Sequence, residues 1–281
     1  MKVDVTRQAV RVGWLVLALL VCILPEKARA ACTLGTCDAT YCEINCPTGS
    51  DLIVFGTLYK NSNPAGVGVC RFTTGGSFVD VTPTNMTSGD YRVRADGADA
   101  ASGGNDTLRM ARPSSPESCG TTYPGGDVWT IKGELPVNST YLFWGDLGDD
   151  TIYLCDRSNP SATDCITDTN AGRADGRGGA DYVYGSPAND TLYGSGETDH
   201  IYGWAGDDTL YGGDGRDYVY GGNDDDAITG GGGDYDEGYG EAGCDIVDGG
   251  AGTGDLCDCG ATGHGIAWQY CETVQNCGGC Y

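Results

Sequence analysis

Six aspartates recur at every ninth residue of one stretch of the chain. The stretch, residues 176–229, reads as six blocks: GRGGADYVY, GSPANDTLY, GSGETDHIY, GWAGDDTLY, GGDGRDYVY and GGNDDDAIT. The sixth place of the blocks holds Asp181, Asp190, Asp199, Asp208, Asp217 and Asp226. A short carboxylate is a hard oxygen ligand of the kind that calcium prefers. The spacing therefore predicts a metal site that repeats along the chain.

Two further positions of the block repeat as well. Glycine opens every block, at Gly176, Gly185, Gly194, Gly203, Gly212 and Gly221. An aliphatic residue follows each aspartate by two places, at Val183, Leu192, Ile201, Leu210, Val219 and Ile228. Glycine permits the positive φ of a tight turn and a close approach of main-chain carbonyls to an ion. The aliphatic position suits a short strand with one side chain inward. Six unbroken repeats predict a solenoid.

The strongest match to a known motif lies inside these blocks. Residues 199–217 read DHIYGWAGDDTLYGGDGRD and fit the signature D-x-[LI]-x4-G-x-D-x-[LI]-x-G-G-x3-D at every fixed position. The stretch resembles the RTX, or hemolysin-type, calcium-binding repeat G-G-x-G-x-D-x-U-x. The resemblance implies an all-β fold, a parallel β-roll or β-solenoid in which two blocks make one coil, with Ca²⁺ as the bound ion.

The resemblance also implies which residues bind the ions. Aspartates eighteen residues apart stack along two edges, with Asp181, Asp199 and Asp217 on one and Asp190, Asp208 and Asp226 on the other. Each ion then lies between stacked turns, bound by two carboxylates and several turn carbonyls. The implied ligands are Asp181, Asp190, Asp199, Asp208, Asp217, Asp226 and Asp245, with Gly185, Gly194, Gly203, Gly206, Gly212, Gly215 and Gly221.

Calcium is expected to be required for folding of the repeats. One aliphatic side chain per nine residues buries too little apolar surface to offset the conformational entropy of ordering the backbone. Stacked carboxylates also repel one another. We therefore expect the segment to be disordered without calcium and to fold on binding it. The alternative is a flexible Gly/Asp-rich linker, which does not account for the aliphatic residue in every block.

The rest of the chain divides into four further segments around residues 171–256, the predicted roll. Residues 1–30 resemble a secretory signal, residues 31–50 are predicted to be a Cys-rich N-terminal cap, and residues 257–281 a Cys-rich C-terminal cap. Residues 51–170 are a divergent β-region. Two motifs like that of the repeat, at residues 102–108 around Asp106 and at residues 145–152 around Asp150, favour an interrupted solenoid there. A separate small β-domain is the alternative.

Composition and the N-terminus predict an exported protein. Basic residues precede an apolar run at residues 12–24, and Ala28-Arg29-Ala30 forms an A-x-A cleavage site. A retained anchor is the alternative; no second long apolar run follows, so no membrane span is expected in the mature chain. Cleavage would remove Cys22 and leave fourteen of fifteen cysteines, an even number that favours disulfides. A zinc site at Cys257 and Cys259, or at Cys277 and Cys280, is the alternative. The net charge of −24 argues against nucleic acid and anionic membranes as partners.

An outward aromatic face is expected on one sheet, because the residues that flank the aliphatic position point outward. Tyr182, Tyr184, His200, Tyr202, Tyr218 and Tyr220 would stack there. A cross-strand ladder that steadies the sheet explains the pattern. The sharper hypothesis is that Tyr184, His200, Tyr202 and Tyr220 bind a glycan or a cell-surface protein.

The sequence predicts a secreted or cell-surface, structural or adhesive calcium-binding protein rather than an enzyme. The chain has two histidines, His200 and His264, and contains neither H-E-x-x-H nor G-x-S-x-G. The carboxylates are already explained as ligands, so they are poor support for glycosidase chemistry. The alternative is a secreted polysaccharide-acting enzyme, a lyase or hydrolase with an RTX module, in which His200 and Tyr202 act on a sugar.

Overall fold

The computed structural model describes residues 31–37, 41–46, 51–73, 78–84, 90–95, 104–111, 117–122, 127–132, 140–155, 171–260, 265–268 and 270–279. The predicted signal at residues 1–30 lies outside them. The strands are β1 (Thr33–Cys37), β2 (Tyr41–Asn45), β3 (Asp51–Lys60), β4 (Asn63–Thr73), β5 (Phe78–Pro83), β6 (Asp90–Arg94), β7 (Thr107–Met110), β8 (Glu117–Thr122), β9 (Asp127–Lys132), β10 (Thr140–Leu147), β11 (Thr151–Tyr153), β12 (Gly172–Gly178), β13 (Tyr182–Tyr184), β14 (Thr191–Gly196), β15 (His200–Ala205), β16 (Thr209–Asp214), β17 (Tyr218–Asn223), β18 (Ala227–Gly232), β19 (Glu237–Ala242), β20 (Ile246–Ala251), β21 (Leu256–Asp258), β22 (Ile266–Ala267) and β23 (Thr273–Gln275).

The fold of the described residues is all-β, as the sequence predicts. These residues form strands, turns and connecting segments without a helix, and so they offer no helix that could cross a membrane. Residues 31–281 group as one compact unit.

Successive strands of the repeat alternate between two parallel sheets. One sheet runs β1-β2-β6-β10-β12-β14-β16-β18-β20-β22, and the other runs β23-β21-β19-β17-β15-β13-β11-β7-β3-β4-β5. Residues eighteen apart are direct neighbours, so that Leu192 pairs with Leu210 and Ile201 with Val219. One coil therefore takes two nine-residue blocks, and the prediction of a β-roll is confirmed.

The aliphatic position of each block forms the core of the roll. Its side chains alternate with outward residues along each short strand and are 0–1 % exposed: Val183, Leu192, Ile201, Leu210, Val219, Ile228 and Val247. The core continues without a break into the N-terminal part, where larger side chains such as Phe55 and Phe143 occupy the interior.

Residues 51–155 extend the same two sheets. Strands β6 and β10 pair in parallel with the first sheet, and β3, β7 and β11 with the second. The antiparallel strands β4, β5, β8 and β9 are added beside β3. A second apolar cluster, including Val54, Leu58 and the Cys70–Cys119 disulfide, packs among them.

Disulfides close both ends of the described sheets. At the N-terminal end, the β1–β2 hairpin contains Cys32–Cys46 and Cys37–Cys42. At the C-terminal end, Cys257–Cys271 and Cys259–Cys277 join the last strands. Because Cys257 and Cys259 are both oxidised in these bonds, the zinc alternative for this pair is wrong.

Candidate metal centre

The predicted aspartate ligands lie buried where the chain turns from one sheet to the other. Asp181, Asp190, Asp199, Asp208, Asp217, Asp226 and Asp245 are 0–2 % exposed. One carboxylate oxygen of each, Oδ1, accepts a hydrogen bond of 2.7–3.0 Å from a main-chain N–H one coil earlier. The side chain is thereby held in one direction, toward the interior of the turn.

These hydrogen bonds define a first edge of stacked turns. On it, the N–H of Asp181 donates to Asp199 over 2.8 Å, and the N–H of Asp199 donates to Asp217 over 2.9 Å. The full row of carboxylates on this edge is Asp106, Asp150, Asp181, Asp199, Asp217, Asp236, Asp255 and Glu272. The stacking expected for its three central aspartates is present.

The second edge carries the other predicted row. The N–H of Asp190 donates to Asp208 and that of Asp208 to Asp226, over 2.7 and 2.9 Å. Asp245 continues the row. Asp190 differs from its neighbours, because its Oδ2 accepts a hydrogen bond from the Ser186 N–H in its own turn, over 2.6 Å.

The second carboxylate oxygen is the feature that points to a cation. Oδ2 is buried and has no hydrogen-bond donor among the described residues in Asp181, Asp199, Asp208, Asp217, Asp226, Asp236, Asp245 and Asp255. Leaving so many buried acceptors unsatisfied would cost about 1–3 kcal/mol each. Arg216 is the only lysine or arginine in residues 178–260, which contain nineteen acidic residues. The chain itself thus supplies almost no positive charge to this region.

Burial shifts these carboxyls toward the protonated form when no metal is bound. It raises the pKa of Asp181, Asp217 and Asp226 to about 7, of Asp199 to about 8 and of Asp208 to about 9. The hydrogen bond from the main chain opposes the shift, and neighbouring carboxylates add to it. A divalent cation reverses this preference, since it favours the ionised carboxylate.

The glycine that opens each block leaves room beside the carboxylate. A Cβ at Gly212 would lie 2.6 Å from Asp217 Oδ2 and closer still to the Gly230 carbonyl. At Gly194 it would lie 2.6 Å from the Gly212 carbonyl and closer to Asp199 Oδ2. Carboxylate and carbonyl oxygens therefore converge on a space that no larger residue could share.

The remaining predicted glycines allow neighbouring coils to approach. Gly206 and Gly215 have φ of +96° and +139°, and a Cβ on either would collide with the main chain one coil earlier, at Ala188 and Glu197. Gly185, Gly203 and Gly221 face their own aspartates as Gly212 does.

Side chains alone do not complete a metal site. No group of three or more His, Cys, Asp or Glu side chains lies close enough to hold a metal within the described part of the chain. A calcium ion takes six to eight oxygen ligands. The donor set therefore fits Ca²⁺ only if main-chain carbonyls supply most of the oxygens, and the glycine turns are built to present them.

Comparison with known families agrees with this geometry. A model described as the RTX calcium-binding nonapeptide repeat (4 copies) matches residues 175–210 and 205–235. Residues 175–235 are RTX calcium-binding repeats. Their ion is Ca²⁺. The chain matches no curated protein and no solved structure.

Several carboxylates of the RTX rows were missed in the sequence prediction of ligands. Asp236 follows Asp217 in the row by nineteen residues, and Asp255 follows Asp236 by nineteen, because each of these later coils is one residue longer. The signal for Asp236 was weak because Gly238 occupies the inward position that an aliphatic residue holds elsewhere. Glu272 lies beyond any repeat and joins the row through its Oε2, which accepts the Asp255 N–H.

Outward aromatic residues of the second sheet form two parallel stacks, one of which extends beyond the RTX repeats to Tyr153 and Tyr239. Five rings form what we call the tyrosine ladder: Tyr153, Tyr184, Tyr202, Tyr220 and Tyr239. Adjacent rings have centroids 4.7–5.0 Å apart and planes within 4–6° of each other. Beside the ladder, His200 stacks between Tyr182 and Tyr218. The ring faces therefore cover one another, and the hydroxyl of Tyr239 donates to Glu237 Oε2 over 2.6 Å.

His200 and Tyr202 are placed in different stacks. Nδ1 of His200 is buried and has no hydrogen-bond partner among the described residues, and burial lowers the pKa of the imidazole. Burial raises the pKa of the Tyr202 phenol. Both ring faces of each residue are covered, so a sugar could not stack on them. The polysaccharide-acting enzyme stays a prediction.

Proposed function

We propose that this chain is a secreted RTX protein whose roll folds on binding calcium and which serves a structural or adhesive role outside the cell. The observation that carries the proposal is the row of buried Asp Oδ2 atoms without donors in a region that contains one basic residue. A structure of this kind is stable only when external cations neutralise it.

The ligands are assigned by their place in the rows. Asp181, Asp199, Asp208, Asp217, Asp226 and Asp245 contribute Oδ2, and carbonyls of the glycine turns supply the other oxygens. Asp190 is the weakest member, since its own turn already donates to Oδ2. When bound, Ca²⁺ offsets the repulsion between stacked carboxylates and links consecutive coils. The protein's part is to fix each carboxylate through the hydrogen bond to Oδ1 and to exclude side chains at the first glycine.

An extracellular location is supported by oxidised cysteines and by charge. Five disulfides join described cysteine pairs, and such bonds persist in oxidising compartments. Calcium reaches millimolar concentrations outside the cell, where sites of modest affinity are filled. The high negative charge keeps the protein soluble there once the ions are bound.

Calorimetric titration of calcium, followed by circular dichroism, tests the proposal. The double variant Asp199→Asn and Asp208→Asn removes one carboxylate from each row and should lose ion uptake and part of the strand signal. Asp214→Asn, the same chemical change at an exposed position of the same roll, should bind as the native chain does. Equal calcium uptake by all three proteins would refute the proposal, as would an unchanged strand signal in calcium-depleted protein.

A partner is proposed to bind the aromatic surface through ring edges rather than faces. Tyr184, His200, Tyr202 and Tyr220 lie on one surface, and the three phenols can direct hydroxyls toward a glycan or a cell-surface protein. Replacing the three tyrosines with phenylalanine keeps the stack and removes the hydroxyls. Retention on immobilised acidic polysaccharide should fall in this variant; native-like retention would contradict a hydroxyl-mediated contact.

A further inference from the structure

The tyrosine ladder places oxidisable phenols next to each other on successive coils. Each of its rings has a neighbour whose centroid lies 4.7–5.0 Å away and whose plane is nearly parallel. Reacting atoms in near-attack arrangements are about 3–3.5 Å apart, so a shift of roughly 1–2 Å brings ring carbons of two neighbours into reach. Tyr193 and Tyr211 form a similar pair on the other sheet, at 4.9 Å.

We propose that the tyrosine ladder is a site of oxidative cross-linking, in which neighbouring tyrosines join as dityrosine and covalently link successive coils of the calcium-loaded roll. The oxidant is hydrogen peroxide used by a heme peroxidase or another one-electron oxidant. The inference rests on the proposed folding of the roll by calcium, because the rings are neighbours only when the coils are stacked. It does not depend on any partner of the aromatic surface.

The chemistry balances within one pair of tyrosines. Each phenol loses one electron and one proton and becomes a phenoxyl radical, and the two electrons and two protons reduce one hydrogen peroxide to two waters. The radicals join through a new bond between the carbons ortho to their oxygens. Each ring then regains aromaticity when the hydrogen on that carbon moves to the oxygen. The net change is one carbon–carbon bond formed and two carbon–hydrogen bonds broken.

The structure supplies its own comparison between stacking and exposure. Tyr235 and Tyr270 are 58 % and 64 % exposed, more than any tyrosine of the ladder. Among the described residues no aromatic ring stacks on either. Reaction governed by exposure alone would favour these two residues, whereas reaction governed by proximity favours the ladder. Among the described residues, a radical on Tyr235 or Tyr270 has no stacked tyrosine to couple with, whereas a radical on the ladder has one.

Dityrosine links between coils would reduce the loss of strand structure on calcium removal. In the native chain each coil is joined to the next by strand hydrogen bonds and by the ions. A bond from Tyr184 to Tyr202 or from Tyr202 to Tyr220 spans two consecutive coils. It shortens the chain available to the unfolded state and so restricts its entropy, as a disulfide does. The oxidised roll should therefore keep more of its strand structure than the unoxidised roll when calcium is withdrawn.

The test oxidises the full, calcium-loaded chain with peroxidase and hydrogen peroxide. Circular dichroism first establishes that the roll is folded. The product is cut with an aspartate-specific protease, which separates Tyr184 from Tyr202, and linked peptides are mapped by mass spectrometry. We expect links within one chain between neighbours of the ladder. A triple variant, Tyr184→Phe, Tyr202→Phe and Tyr220→Phe, keeps the rings but should lose most dityrosine fluorescence. The control variant, Tyr235→Phe and Tyr270→Phe, should keep it.

Three results would overturn the inference. One is a set of links that map to Tyr235 or Tyr270, or only between chains. Another is native-like dityrosine in the triple variant. The third is a roll that is not folded in calcium, which dichroism reveals before oxidation and which counts against the proposed function as well. If dityrosine links form within the ladder but the oxidised roll still unfolds when calcium is chelated, the cross-linking stands. Only the expected retention of strand structure is then contradicted.

Discussion

Two regions of this protein share the same two sheets but are packed with different side chains between them. The region of β2, β3, β6, β7, β10 and β11, which we call the aromatic-core region, fills its interior with Phe55, Tyr91, Tyr141 and Phe143, whose rings lie 5.4–6.2 Å apart. The roll, residues 171–256, has one inward residue per short strand, which is aliphatic in most strands and is Gly238 in β19. Both use the same two sheets. The sheet arrangement therefore does not determine how each region is stabilised. The side chains between the sheets determine it.

The two regions also differ in how a buried carboxylate is neutralised. In the aromatic-core region, Asp146 accepts hydrogen bonds from Arg94, at 2.5 and 3.1 Å, and from Arg177 at the start of the roll, at 2.9 Å. Both guanidinium groups also lie over the ring of Trp144. In the rest of the roll, residues 178–256, Arg216 is the only arginine or lysine, and the buried carboxyl whose pKa it lowers is that of Asp236. One region carries its own cations, and we propose that the other is neutralised by calcium from solution.

Calcium removal should separate the two regions most clearly. In calcium-depleted protein we expect strands β14–β20 to lose protection from hydrogen exchange, because the carboxylate rows then repel without compensation. Strands β3 and β10 should stay protected by the aromatic core. Hydrogen exchange read by mass spectrometry resolves the two, and restoring calcium is the control. Equal loss in both regions would show that calcium supports the whole molecule.

Truncation of a core side chain should act on one region at a time. Phe143→Ala is expected to cost about 3–5 kcal/mol of unfolding free energy with or without calcium, since it opens a cavity in the aromatic core. Leu210→Ala should cost about 2–5 kcal/mol, but only in calcium, because the depleted roll is already unfolded. Denaturant titrations of both variants in both conditions measure this. A calcium-dependent cost for Phe143→Ala would contradict the distinction.

Adding a methyl group beside a carboxylate should weaken the roll alone. Gly212→Ala places a Cβ between Asp217 Oδ2 and the Gly230 carbonyl, so we expect weaker calcium binding and a loss of about 1–3 kcal/mol in calcium. The matched control is Gly232→Ala, whose nearest neighbour is the side-chain Oδ1 of Asp214 at 3.0 Å, on an exposed residue. Its effect should stay within about 0.5 kcal/mol. Equal calcium affinity in the two variants would argue against a calcium site beside Gly212.

Acid should partly replace calcium in the roll. The folded pKa values of Asp181, Asp199 and Asp208, about 7, 8 and 9, lie above the ordinary 3.8, so the folded roll binds more protons than the unfolded chain. The stabilisation is present below the ordinary value and is lost as pH rises through about 7–9. Desalted, calcium-free protein should gain strand signal as pH falls from about 9 to 5. Asp199→Asn with Asp208→Asn should flatten that dependence; an unchanged profile would speak against these carboxyls.

The roll could be predicted from the sequence because the residues that form its core and its carboxylate rows recur at a fixed spacing. A nine-residue repeat with one inward residue and one carboxylate determines the strand register and the two rows, and the structure stacks Asp181, Asp199 and Asp217 accordingly. Where one extra residue enters a coil, the fixed period fails, although the strands stay in register through Asp236 and Asp255. The hydrogen bonds between coils still form when a turn is one residue longer. A search for a fixed nine-residue period does not find such a coil.

The aromatic-core region was harder to predict because long-range pairing has no local signature. Asp150 and Asp181 are thirty-one residues apart in sequence, yet the N–H of one donates to the carboxylate of the other. Similarly, the antiparallel strands β4, β5, β8 and β9 are placed by the Cys70–Cys119 bond and by apolar packing. The sequence also predicted that aromatic residues stack in a cross-strand ladder on one sheet, but it did not indicate that their ring faces cover one another, with planes within 4–6° of each other.

The hydrogen bonds that the two aspartate rows accept from a neighbouring coil all have the same direction along the molecule, unlike those that the exposed Asp149, Asp207 and Asp225 accept. In each bond of the rows, a side chain of a later coil accepts an N–H of an earlier one, as Asp181 does from Asp150 at the junction of the two regions. Along each row, an ordered coil therefore presents a main-chain donor to the segment that follows it and a side-chain acceptor to the segment before it. The rows thus give the roll a direction, and the first row begins in the aromatic-core region at Asp106 and Asp150. We expect a chain that folds from its N-terminus to form these donors before the aspartates that they fix.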